Sequence, residues 1–193
     1  MEFLYNIDVS VFYFINVTLA NPLTDKVMPF ITTEKNWYIF YLLVWLYMVI
    51  QGGRRGLIAG ILILICVAIS DQVSSNLIKS LVQRTRPCIV LPDVHLLVNC
   101  INSFSFPSSH AVNNFAGAVL MSHFYPKAKY FLYTGASLLA LSRIFCGVHY
   151  PSDVLGGVII GVIIGLVLLF MWKTVNKKFK ILKDEKKAEI PKS

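Results

Sequence analysis

Hydrophobic residues in this chain fall into long blocks separated by short polar stretches. Five blocks are nearly continuous, at residues 37–50, 57–70, 111–124, 130–146 and 154–172. The block that comes first in the chain, residues 3–19, is interrupted by Asn6, Asp8 and Asn16, and the six blocks are counted in chain order from it. A helix needs about 20 residues to span a bilayer, so the shorter blocks must extend into their polar flanks. The pattern predicts an all-α polytopic membrane bundle with six transmembrane helices, of which the first either spans or lies partly in the interface.

The composition supports a membrane protein with a single domain. The 193 residues are 56% hydrophobic and only 15% charged, whereas a soluble domain carries about 25% charged residues. We predict an integral-membrane domain over residues 1–172 and a lysine-rich cytoplasmic tail over residues 173–193. The first block has no basic N-terminal region, and no small-residue cleavage site precedes Asn21. These features favour an uncleaved first helix over a signal peptide.

The net charge of +8 is concentrated in the tail, which contains eight lysines and three acidic residues. A lysine run can bind nucleic acid, but beside a transmembrane helix it favours a cytoplasmic anchor to anionic lipids. We therefore predict the phospholipid bilayer as a partner, with no nucleic acid and no obligate protein partner.

Two cations follow the third block. Lys79 and Arg86 are seven residues apart and Pro87 comes next. Seven residues make about two helical turns, so we expect both cations on one face of the third helix, which Pro87 then ends. Two cations suit a dianionic phosphate, although snorkelling toward headgroups is the alternative. Asp71 lies in a polar stretch of the same helix, where a carboxylate usually faces the bundle; a purely structural role stays open.

Ser108, Ser109 and His110 directly precede the fourth predicted helix. Free backbone N–H groups at a helix start bind anions with the help of the helix dipole. The serine hydroxyls are expected either to cap the helix or to contact a phosphate. Taken alone, this string would fit an ordinary N-cap with a surface histidine better.

A third string, with Arg143, His149 and Asp153, separates the fifth and sixth blocks. Asp153 falls in the first turn of the sixth helix, where it can reach back to His149. A carboxylate on one imidazole nitrogen leaves the other nitrogen free to attack. We therefore predict His149 as the nucleophile, His110 as the general acid and Asp153 as the orienting carboxylate. The predicted phosphate-binding residues are Lys79, Arg86, Arg143, Ser108 and Ser109. We predict neither a metal nor another cofactor, since no His/Cys/Asp grouping has ligand spacing.

Short basic connections indicate the orientation. Residues 52–55 and 126–129 are basic and alternate with the outer connections, so they fall on the same side as the tail, the cytoplasmic side. All three chemical strings then lie on the opposite face. We predict a multi-pass protein of the cell (inner) membrane whose active site faces the extracytoplasmic side.

The three strings resemble the Lys-x6-Arg-Pro, Pro-Ser-Gly-His and Ser-Arg-x5-His-x3-Asp signature of the type-2 phosphatidic acid phosphatase superfamily. The resemblance covers residues 79–153, and the helix layout extends it over nearly the whole chain. It implies a core shared with vanadium haloperoxidases and a phosphohistidine intermediate on His149, with His110 protonating the leaving lipid oxygen. Ser109 departs from the pattern, which has glycine there.

The resemblance implies a metal-independent, extracytoplasmic lipid phosphate phosphatase. Substrates of such proteins include undecaprenyl diphosphate, phosphatidylglycerol phosphate, phosphatidic acid and the 1-phosphate of lipid A, and the strings do not choose among them. The alternative is a non-catalytic lipid-phosphate binder or transporter, which would need the cations but not both histidines and Asp153.

Four cysteines fit this layout. Cys66 lies in the middle of an apolar helix, where packing is the usual role, and Cys146 lies near the end of the fifth helix, beside the third string. Cys88 and Cys100 share the outer loop, in a compartment where disulfides persist. The sequence leaves open whether these two cysteines pair.

Overall fold

The computed structural model describes residues 2–182, and this part of the chain is all-helical without strands. The helices are α1 (Glu2–Tyr13), α2 (Pro22–Thr32), α3 (Tyr38–Gln51), α4 (Gly53–Asp71), α5 (Lys79–Val82), α6 (Pro87–Val90), α7 (Ser109–Phe124), α8 (Lys129–Phe145) and α9 (Pro151–Phe179). Each predicted block forms a helix, so the all-α prediction is confirmed.

Membrane-spanning character is strongest in two helical segments of the described chain. Gly53–Val90 and Pro151–Phe179 are each long and apolar enough to cross a bilayer. Helix α1 with its π-helical end and helix α2 reach the same length and apolar character only when they are taken together, and the two are bent by 112°. Helix α3 is apolar but shorter. These lengths agree with a helical membrane protein, and the number of six spans stays a prediction.

Helix α2 occupies most of the polar stretch between the first two apolar blocks. Asn21 starts it, because its Oδ1 accepts hydrogen bonds from the backbone N–H groups of Leu23 and Thr24 at 3.0 and 3.1 Å, and Pro22 suits the first helical position. Helix α2 packs against α8. This packing brings the chain after Thr32 to the start of α7, where Glu34 contacts His110.

Helices α7 and α9 form the closest helix pair, and three glycines of α9 make their contact possible. A Cβ atom at Gly161 would lie 2.5 Å from the Val112 carbonyl oxygen, and Gly157 and Gly165 meet α7 similarly. At the end where both helices begin, the Ser108 N–H donates to the Asp153 carbonyl at 3.1 Å. The second and third strings are thereby fixed side by side.

The helix that carries Lys79 ends earlier than expected. A π-helical segment, Gln72–Ile78, leads into α5, which stops at Val82 because Gln83 is left-handed with φ 52°. Arg86 is extended, as expected before a proline, and Pro87 begins α6 rather than ending a helix. The prediction that Lys79 and Arg86 share one helix face is therefore wrong. They approach each other through tertiary folding instead.

The loop after α6 is fastened to the bundle. A disulfide joins Cys88 to Cys100, and Asn16 Nδ2 donates to the His95 carbonyl at 2.8 Å. Cys66 and Cys146 are buried free thiols. The structure thus forms the pairing that the sequence left open.

Helix α9 continues past the predicted domain boundary at Trp172 and ends at Phe179. Lys173, Lys177 and Lys178 therefore belong to the last helix. The lysines at 183, 186, 187 and 192, which were predicted as part of the tail, lie outside the described residues.

Candidate active site

His149 lies in the tight loop between α8 and α9 and is 2% exposed. Its Nε2 atom is 3.2 Å from Arg86 Nη1, and its Nδ1 atom is 3.5 Å from Asp153 Oδ2. Arginine only donates hydrogen bonds, so Nε2 must present its lone pair and Nδ1 carries the proton. This tautomer directs Nδ1–H toward Asp153 and leaves Nε2 as the nucleophilic nitrogen, beside a cation that can bind phosphate.

Burial also keeps His149 neutral. Desolvation, assisted by Arg86 and Arg143, lowers the pKa of His149 to about 3, although Asp153 favours the charged form. The ring is therefore the neutral imidazole at neutral pH, with a lone pair on one nitrogen, which nucleophilic attack requires.

Asp153 is fully buried and has more partners than the single histidine that the sequence predicted. Its carboxylate accepts from Arg84 Nη1 at 2.7 Å, from the Tyr150 N–H at 2.9 Å, and from the Ser105 hydroxyl. These donors fix the carboxylate in orientation and keep it charged. Asp153 can therefore hold the imidazole plane of His149.

Arg84 was not among the predicted site residues. Its Nη2 atom contacts Asp8 Oδ2 at 2.7 Å while Nη1 contacts Asp153, and its guanidinium lies 3.9 Å from the centre of the Tyr150 ring. Asp8 also accepts from the N–H and hydroxyl of Ser152. The sequence feature that could have indicated such an arginine was Asp8, because a carboxylate in an apolar helix needs a partner.

Arg86 is the most completely buried cation of the site, with 1% of its surface exposed. It donates to the Ser103 carbonyl at 2.8 Å and to the Val148 carbonyl at 2.9 Å. Both carbonyls belong to loops rather than helices. Arg86 thus holds the loop before α7 and the His149 loop together while facing the attacking nitrogen.

Arg143 enters the site from α8 and is nearly buried. Its Nη1 atom donates to Thr32 Oγ1 at 2.5 Å. Its Nε atom and the Ser108 hydroxyl are buried without a partner in the part of the chain that the structure describes. A buried donor without an acceptor costs about 1–3 kcal/mol, and phosphate oxygens are acceptors of the required charge.

The remaining predicted residues lie around this centre. Lys79 is within electrostatic range of Arg86, Arg143 and Asp153, so the cations do converge. His110 Nε2 is 3.2 Å from Glu34 Oε1. Ser108 is the N-cap of α7 but makes no side-chain capping bond.

Ser109 pairs with the polar stretch of the preceding helix. Its hydroxyl is 3.1 Å from that of Ser75, which donates to Asp71 Oδ1 at 3.1 Å. Asp71 is exposed rather than turned into the bundle, so the expectation for its side chain is wrong. Its partner is Ser75, one helical turn away.

Among residues 2–182, no three His, Cys, Asp or Glu side chains are grouped so that they could hold a metal ion. A cluster of cations around a carboxylate–histidine pair, at one end of an apolar helical bundle, defines an integral-membrane phosphatase. The chain belongs to the PAP2 superfamily, whose family model matches residues 57–178.

Curated relatives agree with this assignment. The chain is 32% identical over 161 residues to the undecaprenyl-diphosphatase BcrC of Bacillus subtilis, covering 82% of this chain and 80% of that protein. It is 28% identical over 180 residues to a lipid A 4'-phosphatase of Bacteroides thetaiotaomicron, covering 89% and 79%. The chain is therefore an enzyme that hydrolyses membrane lipid phosphates, which argues against the non-catalytic binder.

Two solved structures share the fold. LpxE of Aquifex aeolicus superposes with a TM-score of 0.67 at 27% identity, over 84% of this chain and 94% of that chain. A PAP2-type phosphatidylglycerolphosphate phosphatase from Bacillus subtilis has a TM-score of 0.70 at 23% identity, over 95% and 90%. The architecture described above is that of PAP2 membrane phosphatases.

Proposed function

We propose that the protein removes the terminal phosphate of a membrane lipid at the extracytoplasmic face, through a phosphohistidine intermediate on His149. The observation that carries this proposal is the placement of His149. Its Nε2 lone pair faces Arg86 at 3.2 Å, and its Nδ1 faces the buried carboxylate of Asp153 at 3.5 Å.

In the first step, Nε2 of His149 attacks phosphorus and the bond from phosphorus to the lipid oxygen breaks. Arg86, Arg143 and Lys79 bind the equatorial oxygens and stabilise their charge in the transition state. Asp153 stabilises the imidazolium that forms as the new P–N bond takes electron density from the ring. His110 donates a proton to the departing lipid oxygen.

In the second step, water attacks phosphorus and the P–N bond breaks. His110, now neutral, accepts a proton from this water. Inorganic phosphate leaves, and His149 and His110 return to their starting protonation states. The reaction thus uses one histidine as nucleophile and the other as acid, then base.

The two serines are proposed to contribute differently. The Ser108 N–H is already used by the Asp153 carbonyl, so its buried hydroxyl is the group that can reach phosphate. Ser109 begins α7, and its backbone N–H is free of the helix ladder. A serine donates this N–H as well as the glycine of the family pattern does. Its side chain is held by Ser75 at 3.1 Å.

Hydrolysis should be measured with purified protein in mixed micelles on four lipids side by side: undecaprenyl diphosphate, phosphatidylglycerol phosphate, phosphatidic acid and lipid A. We expect phosphate release from at least one of these lipids. EDTA should leave the rate unchanged, because three cations supply the charge that a metal would provide. Vanadate should inhibit the enzyme, because it mimics the transition state. Phosphate release from none of these lipids, or activity lost in EDTA and restored by a divalent metal, would contradict the proposal.

The proposed orientation is supported by the position of the basic connections. Arg55 and Lys173 both act electrostatically on His123, and Arg55 also acts on Tyr125. The connection after α3, the end of α7 and the end of α9 therefore share one end of the bundle. The active site lies at the other end, where α9 begins. Basic residues in short connections favour the cytoplasmic side.

Orientation can be tested by labelling single cysteines in intact cells with a membrane-impermeant thiol reagent. Lys127→Cys and Lys35→Cys introduce exposed thiols at opposite ends of the bundle. The native free thiols, Cys66 and Cys146, are buried and provide a low background. We expect Lys35→Cys to label and Lys127→Cys to label only after permeabilisation. The reverse pattern would place the active site in the cytoplasm.

A further inference from the structure

The last residue of α2 and the turn that follows it contact a phosphate-binding residue and the general acid of the proposed site. Thr32 Oγ1 accepts from Arg143 at 2.5 Å, and Glu34 Oε1 lies 3.2 Å from His110 Nε2. Glu34 starts a single 3-10 turn, Glu34–Asn36. It lies outside the three strings, and no step described above uses it.

His110 is otherwise surrounded by positive charge. Burial, together with Arg143 from α8, His149 from the loop before α9 and Lys79 from α5, lowers the pKa of His110 to about 3, while a hydrogen bond with the Thr32 backbone favours the charged ring. Glu34, from the turn after α2, lies 3.2 Å from the same ring. Cations next to a histidine oppose its protonation, whereas a carboxylate at hydrogen-bond distance favours it. A general acid must carry its proton when the leaving group departs. Glu34 is the carboxylate in contact with the ring.

Glu34 and His110 differ in the solvent exposure of their side chains. The Glu34 side chain is 62% exposed and the His110 side chain is 19% exposed. The carboxylate therefore lies at the mouth of the site, where it meets water, and the imidazole lies inside. Such an arrangement can hold a proton on the ring without burying a second negative charge among the phosphate-binding residues.

We infer that Glu34 is the positioning residue of the general acid: it accepts a hydrogen bond from Nε2–H of His110, fixes the ring and favours the imidazolium. The inference rests on the proposed function. Each histidine of the site then has its own carboxylate, Asp153 for the nucleophile and Glu34 for the acid.

The proton balance follows from this pairing. When the P–O bond breaks, its electron pair stays on the lipid oxygen, which takes the proton from the ring nitrogen of His110 that does not face Glu34. The ring becomes neutral. In the second step the attacking water returns a proton to the same nitrogen. Glu34 keeps its negative charge throughout and is neither a nucleophile nor a proton source.

The test compares leaving groups in Glu34→Gln. An alkoxide leaving group, as in phosphatidic acid, needs the acid, whereas the phosphate leaving group of a polyprenyl diphosphate needs it much less. We expect kcat to fall about tenfold on phosphatidic acid and to change little on the diphosphate, with KM unchanged on both. A pH profile of kcat should be measured on the lipid that the wild type hydrolyses fastest. The apparent pKa of its basic limb should fall by about one pH unit, because the imidazolium has lost its anionic partner.

Two further variants complete the experiment. Glu34→Asp retains a carboxylate and should recover part of the activity on phosphatidic acid and part of the pH profile. Asp25→Asn is the matched control, since Asp25 of α2 also contacts a histidine, His95, at 3.0 Å but lies outside the site. It should behave as the wild type.

Three results would overturn the inference. Wild-type kinetics and an unmoved basic limb in Glu34→Gln would remove any role for the carboxylate in acid catalysis. Equal losses on both leaving groups without a shifted limb would indicate a structural role. Faster turnover would mean that Glu34 competes with the substrate phosphate. Failure of the wild type to hydrolyse any of these lipids would instead contradict the proposed function.

Discussion

Replacing His149 with alanine is expected to reduce lipid phosphate hydrolysis by about four orders of magnitude or more, as for other catalytic units that lose their nucleophile. His149 presents an imidazole lone pair to the buried Arg86 at 3.2 Å, where a bound phosphate would lie. The loss should appear in kcat on every lipid, including diphosphates, because the attacking atom itself is missing. Initial-rate measurements in mixed micelles decide this.

The matched control is His123→Ala, which removes an exposed histidine at the opposite end of α7. It should retain wild-type activity. Thermal unfolding of both variants separates chemistry from folding, since His149 is buried and His123 is not. Hydrolysis by a folded His149→Ala variant at a rate near that of the wild type would refute the assignment of the nucleophile.

Asp153→Asn is expected to have the second-largest effect, with kcat lower by about two to four orders of magnitude and KM little changed. The amide no longer fixes the tautomer of His149 or stabilises the imidazolium. It also removes one of the two carboxylates that Arg84 contacts at 2.7 Å. Removing one member of a buried pair costs about 3–5 kcal/mol, so the unfolding temperature should fall as well.

Asp8→Asn separates these two effects. Asp8 contacts the same arginine at 2.7 Å and contributes to the same network. It is paired with Arg84 and Ser152 rather than with His149. We expect a loss of stability but a much smaller loss of kcat. Equal losses of kcat in Asp8→Asn and Asp153→Asn would mean that Asp153 acts only by holding the fold.

Local spacing explains what the sequence could predict about the site. His149 and Asp153 are four residues apart across a helix start, so their proximity follows from one turn of backbone. The apolar blocks predicted every long helix for the same local reason. Ser108 and His110 were placed at a helix start by the apolar run that follows them.

Tertiary contacts explain what the sequence could not predict. The early end of α5 depends on a left-handed Gln83, whereas the seven-residue spacing suggested a continuous helix. Arg84 reaches the site only because Asp8 and Asp153, 145 residues apart in the chain, both meet it. Glu34 approaches His110 because α1 and α2 are bent by 112°. Apart from acidic residues that lack a partner nearby in the sequence, no local pattern indicates any of these contacts.

The central claim is the covalent intermediate on His149, and trapping it is the most direct test. Purified enzyme should be mixed with a lipid carrying radiolabelled terminal phosphate, quenched in alkali within one turnover, digested and sequenced by mass spectrometry. We predict an acid-labile, base-stable phosphoryl group on His149 that forms and decays at rates compatible with turnover. Label on a serine such as Ser108, or phosphate release within one turnover without any labelled protein, would contradict the mechanism.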